Sequence, residues 1–237
     1  MKKIFTLVFA LFSLVSVYAQ KTIRDPNAEA RNITGFRAIE VSSGIDLYLS
    51  YGEEAVAVSA NEQQYRDRIK TEVKDGVLKI YYDWKKGVKF SLKGGELKVY
   101  VSFNKLERLS ASGGSDVKVE GGIKSDKLSI SLSGGADFTS KVDAGTLTIN
   151  QSGGSDADLR GTVKDLKIQA SGGSDFSGYD LVTDNCIIEA SGGSDVQITV
   201  NKEFYAEASG ASDVHWKGKA TVKGARASGS GSISHRS

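Results

Sequence analysis

Leu166-Lys167-Ile168-Gln169-Ala170-Ser171-Gly172-Gly173-Ser174-Asp175 is the stretch whose reading decides the fold. Leu166, Ile168 and Ala170 fall on one face of an extended chain, and Lys167, Gln169 and Ser171 fall on the other. That period of two marks a strand with one buried side. The Gly-Gly pair supplies backbone angles that are closed to other residues and so marks a tight bend. Beyond the bend, alternation resumes. The phrase occurs seven times, with its first Ser at 112, 133, 152, 171, 191, 209 and 228, the last copy being degenerate. Steps of 21, 19, 19, 20, 18 and 19 residues define a repeat of about 19.

A unit this short cannot hold a strand-helix-strand crossover, which needs roughly 30 residues. A stack of antiparallel hairpins stays open, but identical corners at a fixed interval favour one coil per repeat. If the coils lie directly above one another, Leu109, Ile130, Ile149, Ile168, Ile188, Ala206 and Ala225 form an inner column. Ala111, Leu132, Gln151, Ala170, Ala190, Ala208 and Ala227 form a second, apolar except at Gln151. The expected fold is therefore all-β, a right-handed parallel β-helix with coils of about 19 residues. One coil alone buries too little apolar surface to offset the entropy of ordering its residues, so the coils must stack. Seven layers at about 4.8 Å each predict a rod segment of roughly 30 Å.

Residues 20–34 are polar, include Pro26, and read as a disordered leader. From Phe36 to Phe103 the alternation is longer and less regular, and these strands are expected to continue the stack and cap its first coil. Asn61 to Lys70 reads as a helical turn with Asn61 as N-cap. The coils proper span residues 106–232, and residues 233–237 read as a tail.

Lys2, Lys3, the apolar run from Ile4 to Val17 and the small residues Val17 and Ala19 form a secretory signal peptide over residues 1–19. The mature chain is expected to have no membrane span, and no membrane barrel follows the repeats in these residues. Of 31 basic residues, cleavage removes Lys2 and Lys3, leaving 29 against 29 acidic ones. A balance near zero argues against a nucleic-acid partner. Cys186 is the one cysteine, so no internal disulfide forms, and its apolar setting reads as a buried small residue.

Val41 to Leu49 (with Ser43-Gly44-Ile45-Asp46), the polar turn near residue 65, Asp75-Gly76-Val77-Leu78-Lys79-Ile80 and the Ser-Gly-Gly-Ser-Asp coils together resemble the bacterial "head GIN domain" family. The likeness covers about residues 35–232, with Asp46 where the family name implies Asn. That family is described as putative autotransporter adhesins. The resemblance implies a parallel β-helix-like fold and an exported location, and it supplies no catalytic residues.

Asp116, Asp137, Asp156, Asp175, Asp195 and Asp213 should form a ladder along one edge. Carboxylates about 4.8 Å apart repel by roughly 1 kcal/mol in water. Either Ca²⁺ neutralises them, or each accepts hydrogen bonds from the amides of its own corner. Ca²⁺ is the only cofactor the sequence suggests. The outward Ser column offers hydroxyls to a glycan or merely fits a crowded corner. Tyr82, Trp84, Lys85 and Lys86 form a second candidate ligand surface, aromatic and basic, or else an ordinary packed hairpin. No nucleophile, base or paired acid stands out as catalytic. The expectation is an exported, non-enzymatic scaffold, a surface or periplasmic adhesin, that binds a glycan or protein at the cell envelope. The alternatives are a polysaccharide-active enzyme, for which Arg108, Arg160 and Arg226 are too scattered, and a Ca²⁺-stabilised rod.

Overall fold

The computed structural model describes residues 25–84 and 96–236. The expected signal peptide lies outside these residues, as do Lys85 and Lys86 of the expected ligand surface. The seventeen strands among the described residues belong to one continuous sheet wound into a β-solenoid.

The repeats supply β8 (Arg108–Ser112), β9 (Asp116–Glu120), β10 (Ile123–Ser133), β11 (Asp137–Gln151), β12 (Asp156–Ala170), β13 (Asp175–Ala190), β14 (Asp195–Ala208), β15 (Asp213–Lys217), β16 (Thr221–Ala227) and β17 (Ser232–His235). Each pairs in parallel with its equivalent one repeat away, so the hairpin alternative is excluded. Both inner columns form in the expected register, from Leu109 and Ala111 through to Ala225 and Ala227. In the column that follows the corner, large and small side chains alternate over three coils. Phe138 and Phe176 are fully buried with Ala157 between them, which lets successive coils close without two rings colliding.

The Ser-Gly-Gly-Ser-Asp corner keeps its register through every repeat, and the variation in coil length is absorbed elsewhere. The pairing shifts instead at Asp158/Gly161, Gly178/Val182, Thr183/Asn185 and Phe204/Tyr205, away from the corner. The backbone ladder runs straight through the corner: Gly173 N–H donates to the Gly153 carbonyl at 2.7 Å, and Gly193 N–H to that of Gly172 at 2.7 Å. Only the first glycine of these later corners requires its missing side chain. Gly172 holds φ +79°, and a Cβ there would meet the Gly153 oxygen at 2.8 Å, whereas the corresponding approach at Gly173 is 3.9 Å. This explains why the sixth copy tolerates Ala211 in the second position.

The chain order of the N-terminal part is not its layer order. The elements are β1 (Glu29–Arg31), β2 (Ala38–Val41), β3 (Asp46–Tyr51), β4 (Ala55–Ser59), α1 (Gln63–Arg66), β5 (Ile69–Lys74), β6 (Val77–Tyr82) and β7 (Lys98–Phe103). β2 lies between β6 and β8, and β3 between β7 and β9, all parallel. β4 and β5 then fold back antiparallel on β7 and β6. These strands do continue the stack and cap it. The link between β2 and β3, Ser42 to Asp46, is a further corner without a glycine pair. There Ser43 takes the left-handed angle (φ 73°) beside Gly44 (φ 70°), and Ile45 N–H donates to Ser115 Oγ at 3.2 Å.

Three local expectations change. The helix is one turn long, with Glu62 rather than Asn61 at its N-cap and no side-chain cap. Ile69 onward is drawn into the β5–β6 ladder, which satisfies more backbone groups than a lone turn does. The leader is ordered from Glu29, where β1 pairs antiparallel with β4. The tail likewise joins the last coil, since β17 runs to His235 beside β15.

Candidate functional site

Outward residues two apart along each strand form parallel columns on the face just before the corner. One column reads Ser131, Asn150, Gln169, Glu189, Glu207 and Arg226; its neighbour is the expected Ser column. The side chain between them points inward, so a trough of about 590 Å³ opens between the columns across five coils. Its polar wall is held by its own contacts. Gln169 Nε2 donates to Glu189 Oε2 at 2.7 Å, and Lys167 Nζ lies 3.0 Å from Glu189 Oε1. Lys167 and then Gln169 hold the Glu189 carboxyl below its ordinary range. One coil on, the Tyr205 hydroxyl donates to Glu207, and Arg226 Nη1 lies 3.5 Å from the same carboxylate. The Tyr205 ring rests against Gly224, where a Cβ would approach it to 2.6 Å. Across the trough, Ser171 Oγ donates to the Gln151 carbonyl at 3.2 Å and Ser209 Oγ to that of Ala190 at 3.4 Å. A hydroxyl that spends its one proton inward keeps acceptor lone pairs for a ligand.

The Asp residues do form one column, from Asp116 to Asp213. Asp46, one residue before the Leu47–Val117 pair, extends it by one coil, and burial and then the Asp116 carboxylate raise its carboxyl above the ordinary value. Burial, and then the Asp116 and Asp156 carboxylates, push the Asp137 carboxyl above its ordinary value; burial with Asp156 and Asp195 does the same to Asp175. The corner itself is locked by its second Ser. Ser174, Ser194 and Ser212 are fully buried and donate to the carbonyls of Ser171, Ser191 and Ser209 at 3.1, 3.0 and 2.8 Å. Ser232 Oγ closes the end of the column by donating to Asp213 at 2.6 Å. A column with one Asp per coil offers a cation far fewer than the six to eight oxygens Ca²⁺ takes. Among the described residues no three His, Cys, Asp or Glu side chains gather as a metal site.

The aromatic surface is only partly a surface. Tyr82 is turned into the core (2% exposed), because it shares the inward phase of β6 with Ile80, while Tyr81 takes the outward position. The Tyr82 ring packs at 4.6 Å from that of Trp84 and lies under the Arg68 guanidinium at 5.1 Å. Trp84 is 54% exposed.

Nothing in the described residues assembles a catalytic set. Cys186 is buried, and burial pushes its thiol upward, away from thiolate. His215 Nδ1 lies 2.7 Å from Ser234 Oγ and 3.4 Å from Arg236 Nη2, on the last coil and away from Cys186 in β13. Arg108, Arg160 and Arg226 lie on separate coils, in β8, β12 and β16. No helix among the described residues is long and apolar enough to cross a membrane.

The family model described as "Putative auto-transporter adhesin, head GIN domain" matches residues 35–220. No curated protein matches the chain. The fold is shared with the crystal structure of a "putative adhesin" from Bacteroides fragilis, at TM-score 0.77 and 19% identity, covering 88% of this chain and 96% of that one. A "putative adhesin" from Parabacteroides merdae gives TM-score 0.68 at 17% identity, covering 89% of this chain and 95% of that one. A "putative lipid binding protein" from Parabacteroides distasonis gives 0.61 at 19%, covering 90% and 98%. At these identities the likeness concerns the fold.

Proposed function

The chain belongs to the head GIN domain family, and from that premise we propose that it is an exported, non-enzymatic adhesin that binds a glycan or protein at the cell envelope. The observation that carries this reading is the outer face of the coils. Its columns are unbroken across five repeats, rigidly held by the core beneath, and open to a large partner. An enzyme needs convergent groups around a reacting atom, whereas a repeating array of similar groups suits recognition of something extended. Export is supported by the basic start, apolar run and small residues of the first nineteen positions.

Two measurements test the reading. Mass spectrometry of the chain expressed from its full gene should find a mature N-terminus at Gln20 in the periplasmic or surface fraction. The purified mature chain should attach to envelope material and release no sugar from uronate polymers. An uncleaved cytoplasmic chain, or steady turnover of a polysaccharide, would overturn it.

A further inference from the structure

The trough beside the Ser column has a chemistry that selects among ligands. Asn150, Gln169, Glu189 and Glu207 on one wall offer amide and carboxylate groups at one level per coil; Ser171 and Ser191 on the other offer hydroxyl oxygens. Groups that accept and donate side by side suit a ligand whose own groups do both, as sugar hydroxyls do. Gln169 and Glu189 are already fixed to each other and to Lys167, so binding does not have to order them.

Charge removes one class of polymer. Glu189 and Glu207 line the trough and no Lys or Arg does, the nearest cations Lys167 and Arg226 being held by those two carboxylates, so uronate, sulfated or phosphorylated chains find no cation to bind there. Backbone pairing removes a second class. The strands flooring the trough are hydrogen-bonded on both sides, which leaves no edge for an extended peptide to join. The trough follows the stacking axis and repeats its groups every ~4.8 Å, a spacing close to the advance of an extended pyranose chain per residue.

We infer that this trough binds a neutral, extended polysaccharide lying parallel to the solenoid axis, about one sugar per coil. The inference rests on the adhesin reading and deepens it. Affinity electrophoresis of the mature chain in gels containing a neutral β-glucan, a neutral mannan or polygalacturonate tests it. At least one neutral polymer should retard the wild-type chain and polygalacturonate should not. Gln169→Ala with Glu189→Ala, both exposed, should weaken that retardation at least tenfold while lowering the melting temperature by no more than a few degrees. Ser171→Trp with Ser191→Trp, which fills the trough, should abolish it. Unchanged retardation of the alanine variant, preference for polygalacturonate, or no retardation by either neutral polymer would overturn the proposal. Attachment to envelope material separates the two readings. If wild-type and alanine variants attach equally, the trough is not the site and the adhesin reading stands; if wild type does not attach at all, the adhesin reading falls.

Discussion

The two ends of the solenoid are closed by opposite means. At the N-terminal end, β4, α1 and β5 fold back over the last parallel layer, and Phe36, Tyr65, Ile69 and Phe103 are buried there. At the other end β16 is exposed along nearly its whole length, and Val222 is 47% exposed. Ala225 and Ala227 continue the two inner columns there, but as alanines they leave little apolar surface in water. The sequence after Asp213 has five Lys and Arg residues and no acidic one. Like charge along an open edge discourages pairing with another strand. The two ends of the described stack thus differ: one layer is covered, and the other is small and carries a basic rim.

The largest expected effect tests how differently the two ends bear load. Leu47, fully buried on β3 between two parallel neighbours, should lose about 3–4 kcal/mol on change to Ala. Val222→Ala on β16 should stay within about 0.5 kcal/mol. Similar midpoints for the two variants in denaturant titration would break the contrast.

The corners come next. Gly172→Ala combines a left-handed angle with a 2.8 Å approach to backbone and should cost about 2–3 kcal/mol, while Gly173→Ala should be nearly silent. In the N-terminal corner the direction reverses. Ser43 holds φ 73° without being glycine, so Ser43→Gly should gain about 1 kcal/mol, seen as a higher melting temperature. A loss there would show that the Ser43 side chain does more for the corner than its strained angle costs.

The smallest effect concerns the carboxylate column. Since burial and its two Asp neighbours raise the Asp137 carboxyl, the folded chain takes up that proton more readily than the unfolded chain. Ionised Asp137 therefore costs stability at neutral pH, and the cost disappears as pH falls through the raised value toward the ordinary 3.8. Asp137→Asn should raise the melting temperature by about 1–2 °C at pH 7 and leave it unchanged at pH 3. At Asp213, which faces Ser232 on one side, the same change should gain less. Thermal scans across pH read both, and an equal gain at every pH would remove the repulsion argument.

The repeated region was legible because each coil writes its own rule: alternation fixes the inward residues, and the glycine pair fixes the phase. Both inner columns and the Asp column follow from those two signals. The Ser42 to Asp46 corner escaped because Ser43 supplies a left-handed angle usually signalled by glycine. The interleaving of β2 and β3 among later strands escaped because no local pattern encodes which layer a strand joins. Tyr82 reads as a surface residue from sequence because the run Tyr81-Tyr82 does not reveal its phase until Ile80 is known to point inward. The trough was half visible: the Ser column was read, but Asn150, Gln169, Glu189 and Glu207 differ in type and align only once the register is fixed.

Interleaving also sets an order of assembly. β2 and β3 come early in the chain, yet each pairs on both sides, with partners up to about 70 positions later, as the contact from Ile45 to Ser115 shows. Closing so long a loop before any ladder forms is slow. The interleaved layers therefore close only when the chain through β9, which ends at Glu120, is present, and each later coil adds to a strand already in place.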